Sequence, residues 1–88
     1  MNPNKNIRWN YRVMEDNDND YGIHSVYYNQ DKSEVIGFSE HPMPPHGATT
    51  ELLKEDLLLM MAAFNRETLY AKDYKEEAVI DKEEMHYH

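Results

Sequence analysis

The sequence predicts an α+β fold: a three-stranded antiparallel β-meander followed by one main α-helix packed on the sheet, with a short C-terminal strand or helix. Three observations carry this expectation. Residues 7–14 alternate between apolar and polar side chains. Two further β-prone stretches follow, each set off by polar, turn-prone residues. A later stretch then repeats its apolar residues at helical rather than strand spacing.

The first strand is the clearest. Ile7, Trp9, Tyr11 and Val13 fall on one face, and Arg8, Asn10 and Arg12 on the other. A period of two with aromatic and β-branched residues marks a half-buried strand. Trp9 stands mid-strand on the apolar face and is expected to be largely buried. Glu15-Asp16-Asn17-Asp18-Asn19-Asp20 is polar and turn-prone, and predicts a hairpin loop. Tyr21 to Asn29 is the second strand, with Ile23, Ser25 and Tyr27 on one face and His24, Val26 and Tyr28 on the other. Gln30-Asp31-Lys32-Ser33 turns into a third strand, Glu34 to Glu40. The segment Glu40 to Gly47 contains Pro42, Pro44 and Pro45, which remove backbone donors and restrict the residues before them. It predicts a stiff, extended connection back across the sheet that keeps the third strand from being an open edge.

The helix is expected to begin at Thr49 or Thr50, where a hydroxyl can cap and Glu51 meets the positive end of the dipole. It runs to about Asn65. Leu53, Leu57, Met60 and Phe64 form the predicted core stripe, set against the Ile7/Trp9/Tyr11/Val13 face. Leu52, Leu59 and Ala63 lie to one side, and Leu58 lies nearly opposite. Three short strands cannot cover an apolar arc that wide. Beyond Asn65 the pattern weakens. Thr68 to Ala71 suits a short strand. Asp73 to His88 carries six acids against Lys75 and Lys82, which suits a second helix or a disordered tail. The expected organisation is therefore one βββα domain over residues 1–70 with an acidic appendage over 71–88.

Composition narrows the functional classes. The chain has 88 residues and a formal charge of −8. Residues 1–14 carry Lys5, Arg8 and Arg12 and no acid, a charge of +3, which leaves −11 on the rest of the chain. A field of that sign repels phosphate backbones and anionic lipid, so direct nucleic-acid binding is not expected. With no cysteine, disulfides, thiol nucleophiles and cysteine-ligated zinc are excluded. The longest apolar run, Leu57 to Phe64, is eight residues, against about 20 for a membrane span. Met1-Asn2-Pro3-Asn4-Lys5-Asn6 offers no apolar stretch of the secretory kind, so a cytoplasmic location is expected.

The stretch Trp9-Asn10-Tyr11-Arg12-Val13, then Ile23-His24-Ser25-Val26-Tyr27-Tyr28, then Gly47-Ala48-Thr49 and Glu51-Leu52, resembles a group of small bacterial proteins. Their pattern runs W-N-Y-R-V, I-H-E-V-Y-Y, P-x-G-x-T and E-L. The resemblance covers roughly residues 7–69, with Ser25 where the pattern has Glu. It implies the same order of strands and helix and no particular activity. A looser, architectural likeness is to the HicB-type antitoxin domain, through Gly47-Ala48-Thr49-Thr50-Glu51 after three strands.

Chemistry-bearing patterns are few. Asp16 to Asp20 resembles the start of a calcium loop, but position 6 is Tyr21 and position 12 is Tyr27, where glycine and glutamate are needed. His24, His41, His46, His86 and His88 do not space like a rigid zinc site, and Glu83-x-x-His86 lacks the second copy that a di-iron centre uses. Ser25, Ser33 and Ser39 sit in no nucleophile turn, and Gly22, Gly37 and Gly47 are too scattered for a phosphate loop. Neither an enzyme nor a metal or other cofactor is expected. Arg8 and Arg12 are expected to pair across strands with an acid such as Glu34. What remains is a non-enzymatic protein–protein interaction module, a homodimer or a protein docked on a partner, with Leu52, Leu59 and Ala63 as interface. Alternatives are an acidic inhibitor that blocks a basic, nucleic-acid-binding site on a partner, or an antitoxin-like regulator. The competing fate of the leucine flank is to be covered by Tyr70 to Ile80 folding back over it.

Overall fold

The computed structural model describes residues 8–31 and 34–80. Ile7 and residues 81–88, with Glu83, His86 and His88, lie outside the described residues, as do Lys32 and Ser33.

The fold is α+β, but the sheet is larger than a three-stranded meander. Strand β1 (Arg8–Glu15) pairs antiparallel with β2 (Tyr21–Tyr28), which pairs antiparallel with β3 (Val35–Ser39). Two short strands then extend the sheet. β4 (Leu69–Tyr70) runs parallel to β1 at Met14 and Glu15, and β5 (Val79–Ile80) runs parallel to β3 at Phe38 and Ser39. The order is β4-β1-β2-β3-β5, a mixed five-stranded sheet.

Local chemistry accounts for the joints. In the β1–β2 loop the Asp16 carboxylate accepts from the N–H groups of Asp18 (2.8 Å) and Asp20 (3.0 Å), and Asn19 takes the left-handed region at φ 67. That is a side-chain-closed turn built from residues suited to it. Between β2 and β3, the Asn29 side chain accepts from the Glu34 N–H at 3.1 Å. Tyr27 faces Gly37 while Tyr28 faces Val35, so Ile36 is the extra residue of a bulge. At Gly37 a Cβ would stand 2.6 Å from Ile80 Cδ1 and 3.2 Å from the Ala78 carbonyl oxygen. The bare glycine is what lets β5 lie against β3.

Helix α1 (Thr50–Ala62) is capped by Thr49, whose hydroxyl accepts from the Leu52 N–H at 3.1 Å, and it ends in a 3-10 turn over Ala63–Asn65. Gly47 backs onto the main chain of Leu52 and Leu53, where any Cβ would collide. The proline segment is tied to the sheet by the Met43 N–H, which donates to the Ile23 carbonyl at 2.8 Å.

Two apolar clusters result. On one face Met14, Val26, Tyr28 and Phe38 pack beneath Leu69, Ala71, Tyr74, Ala78 and Val79. On the other, Tyr11, Met60 and Ala63 pack with Val13, Ile23 and Met43. Residues 71–80 are therefore no appendage. They roof one face of the sheet and supply the strand that covers the β3 edge, a task the sequence reading gave to the prolines. They do not reach the leucine flank of α1.

The helix stripe is also corrected. Met60 is buried and Leu53 half-buried, but Leu57 and Phe64 are exposed, Phe64 by 65 %. The core-facing residues are Asp56, Met60 and Ala63, which lie within about 60° of one another at 3.6 residues per turn. A polar residue in that arc is what sequence reading passed over. Trp9 is 47 % exposed rather than buried, because α1 covers its neighbour Tyr11 and leaves the indole at the margin.

Candidate functional site

The helix side of the sheet is organised around a polar tie. The Tyr11 hydroxyl donates to Asp56 Oδ1 at 2.6 Å, and the His46 backbone N–H donates to Asp56 Oδ2 at 2.8 Å. One carboxylate thus fastens the helix to β1 and the proline segment to the helix. Burial, reinforced by the bond to Asp56, holds the Tyr11 hydroxyl well above the usual tyrosine range, so it remains a donor. The Trp9 ring meets the Tyr11 ring edge-on, with centroids 5.1 Å apart and planes at 88°.

Trp9 and Tyr11 border two concavities. One, of about 690 Å³, opens toward the proline segment, where Pro42, Met43, Pro44 and Asp56 form its far wall. The other, of about 250 Å³, lies between β1 and the leucine flank of α1, lined by Trp9, Asn10, Tyr11, Leu59, Ala62 and Arg66. Both walls are mainly apolar, but the larger concavity also carries Tyr11, Glu40, His41, His46 and Asp56, of which Tyr11 is bonded to Asp56 and His41 Nε2 stands 3.8 Å from Glu40 Oε1. Among the described residues, no group of three His, Asp or Glu side chains stands close enough to share an ion.

Of the expected interface residues, Leu52 is 47 % exposed and Leu59 is 55 % exposed. Ala63 is fully buried against Tyr11 and Met60 and belongs to the core. Ala62, half-buried, takes its place beside Leu59. Leu57, Leu58, Met61 and Phe64 are exposed as well. A helix apolar on nearly every side is normally buried on nearly every side, and here the sheet buries one narrow arc of it.

The remaining sequence candidates fall elsewhere. Among the described residues, Arg12 forms no ion pair with an acid. Its Nη1 donates to the Tyr28 hydroxyl at 2.9 Å and its Nη2 to the Glu67 carbonyl at 2.6 Å, while the Tyr28 hydroxyl donates to Asn10 Oδ1 at 2.8 Å. Glu34 instead stands at the turn into β3. This network ties β1, β2 and the start of β4 together on the face away from the helix. His24 is buried, with Nδ1 2.9 Å from the Ser39 carbonyl oxygen, which places the ring proton on Nδ1. The Ser39 hydroxyl donates to the His41 carbonyl at 2.8 Å and accepts from the Ser25 N–H at 3.3 Å. Both protons are committed to carbonyls inside the protein, so the pair serves as a fastening between β2 and β3. Burial pushes the His24 imidazole below its usual range.

Sequence reading missed the Asp56 tie and the margin of β1 over Arg8 to Val13, which among the described residues no strand pairs with, since β4 meets β1 only at Met14 and Glu15. Asp56 was detectable as an acid sharing an arc with Met60 and Ala63. The margin was not, because it depends on how short β4 is. Among the described residues, no helix is long and apolar enough to cross a membrane. Comparison with family models, with curated proteins and with solved structures finds no match.

Proposed function

We propose that the protein is a non-enzymatic interaction module that self-associates through helix α1. The observation that carries this reading is the exposure of Leu52 and Leu59, the latter sharing a hollow with Trp9, on a flank that no other segment of the described chain covers. Each leucine is worth roughly 1.5–3 kcal/mol when fully buried. An apolar patch of this kind on a small acidic domain marks a contact surface. Aromatic residues such as Trp9 are the side chains that most often dominate such contacts.

Light scattering at micromolar concentration tests the reading. The parent chain is expected at twice its monomer mass of 10.5 kDa. Leu59→Glu should give a folded monomer, because the side chain replaced lies in solvent within one copy. A parent that stays monomeric defeats the reading.

A further inference from the structure

We propose that the dimer is built by pairing the outer edge of β1 with the same edge of a second copy, antiparallel, so that two five-stranded sheets join into one of ten strands. This rests on the self-association proposed above and names where and how it occurs.

The first argument is the edge itself. β4 pairs with β1 only at Met14 and Glu15. Among the described residues, no strand pairs with the outer edge of Arg8 to Val13. At the opposite margin of the meander β5 pairs with Phe38 and Ser39 of the five-residue β3, which leaves a shorter run than the one on β1. An open run of backbone N–H and C=O groups is a template for another strand, and proteins that keep one either blunt it or use it. Trp9-Asn10-Tyr11 carries no proline and no bulge that would blunt it.

The second argument is what lies above that edge. The concavity of about 250 Å³ joins Trp9, Asn10 and Tyr11 of β1 to Leu59, Ala62 and Arg66. The apolar flank of α1 therefore overhangs the open edge. Joining two sheets edge to edge about a two-fold axis perpendicular to them puts both helices on the same side, antiparallel, with these flanks facing. Leu59 of one copy then meets the hollow beside Ala62 of the other, and the two exposed indoles lie between the helices. One operation covers Leu59, Trp9 and the strand edge at once.

The third argument is charge. Leu52, Glu55, Leu59 and Ala62 follow one another at spacings of three and four, one flank of α1, and Arg66, extended beyond the 3-10 turn, lines the same hollow as Leu59 and Ala62. Antiparallel pairing that sets Leu59 against the partner's Ala62 also sets Glu55 against the partner's Arg66, twice by symmetry. The charged residues bordering the seam, Arg8, Arg66, Glu51 and Glu55, balance in sign, whereas the chain as a whole stands at −8.

Hydrogen–deuterium exchange on the full chain, at high and at low concentration, tests the proposal. Outward-facing amides between Arg8 and Tyr11 should exchange at least tenfold more slowly in the dimer than in the Leu59→Glu monomer. The parent has no cysteine, so Asn10→Cys reports its neighbours without background. Cα atoms across an antiparallel pair lie about 4.5–5.5 Å apart, within disulfide reach, so mild oxidation should link two copies of this variant and leave a Glu77→Cys control unlinked. A dimer whose edge amides exchange equally fast at both concentrations overturns the seam while leaving self-association intact. Edge amides already slow in a monomer would mean that the chain covers its own edge, and that also overturns it.

Discussion

The two faces of the sheet are closed by different means. On one, residues 69–80 lay Leu69, Ala71, Tyr74, Ala78 and Val79 over Met14, Val26, Tyr28 and Phe38. The segment has little regular structure, only short 3-10 turns and two-residue strands, yet it seals its cluster. On the other, a thirteen-residue capped helix buries little more than Met60 and leaves most of its leucines in solvent. Regularity and coverage are separate properties. A roof needs apolar contacts at the right places, and an irregular chain with Ala, Val and Tyr in register supplies them. A strongly helical sequence with more apolar residues than its sheet can accept has another use for the remainder.

The largest expected effect breaks this comparison at the sealed face. Phe38 is buried and packs edge-to-face on Tyr74 with centroids 5.7 Å apart. Phe38→Ala should cost about 3–5 kcal/mol, by lost transfer energy and the cavity left behind, a large share of the stability of a domain this size. Phe64, 65 % exposed on the helix side, is the matched control. Phe64→Ala should change stability by less than about 0.5 kcal/mol. Urea denaturation of both variants decides the matter. Equal costs would mean that the two faces are closed alike.

A middle-sized effect tests how the helix is held. With so little apolar contact, α1 depends on the Tyr11–Asp56–His46 tie. Tyr11→Phe removes one bond to a partly solvated carboxylate and keeps the ring. We expect a loss of about 1–2 kcal/mol, with amide exchange rising in α1 and the proline segment and unchanged at residues 69–80. A uniform rise would show that the two faces unfold as one unit.

These contrasts also mark how far the sequence is legible. The first strand over Arg8 to Val13, the Asp/Asn loop and the Thr49 cap translate directly into structure, since each is a local rule. The helix rotation was not legible because Asp56 won a place in the core arc through a long-range bond to Tyr11, displacing Leu57 and Phe64. The fate of residues 71–80 was hidden for a related reason. Their apolar residues follow neither a helical nor a strand period, because they match a surface made by three other strands and not a repeat of their own. Of the expected interface, Leu52 and Leu59 are where hydrophobic spacing put them. Ala63 differs because a small residue fits closest to the sheet, beneath Tyr11.

The smallest expected effect concerns the fastening between β2 and β3. His24 is 2 % exposed, gives its Nδ1 proton to the Ser39 carbonyl, and has no hydrogen-bond partner for Nε2 among the described residues. Charging the ring would add a buried proton at Nε2, and desolvation therefore lowers its affinity for protons, outweighing the bond to the Ser39 carbonyl and the charge of Asp16, which act against it, with nearby His41 acting in the same direction as burial. In the unfolded chain the imidazole titrates near 6.5. Below that value the unfolded state binds a proton that the folded state does not accept, so stability falls as pH falls. Above it both states are neutral and the contribution is constant. Melting temperature should accordingly be flat from about pH 8 to 7 and decline from about pH 6.5 downward, before the carboxylates titrate. His24→Gln should be less stable at neutral pH, where the buried bond is lost, and should lack the decline between about pH 6.5 and 5. A variant that keeps the parental slope in that window would assign the decline to groups other than His24, and the β2–β3 fastening would then be insensitive to acid.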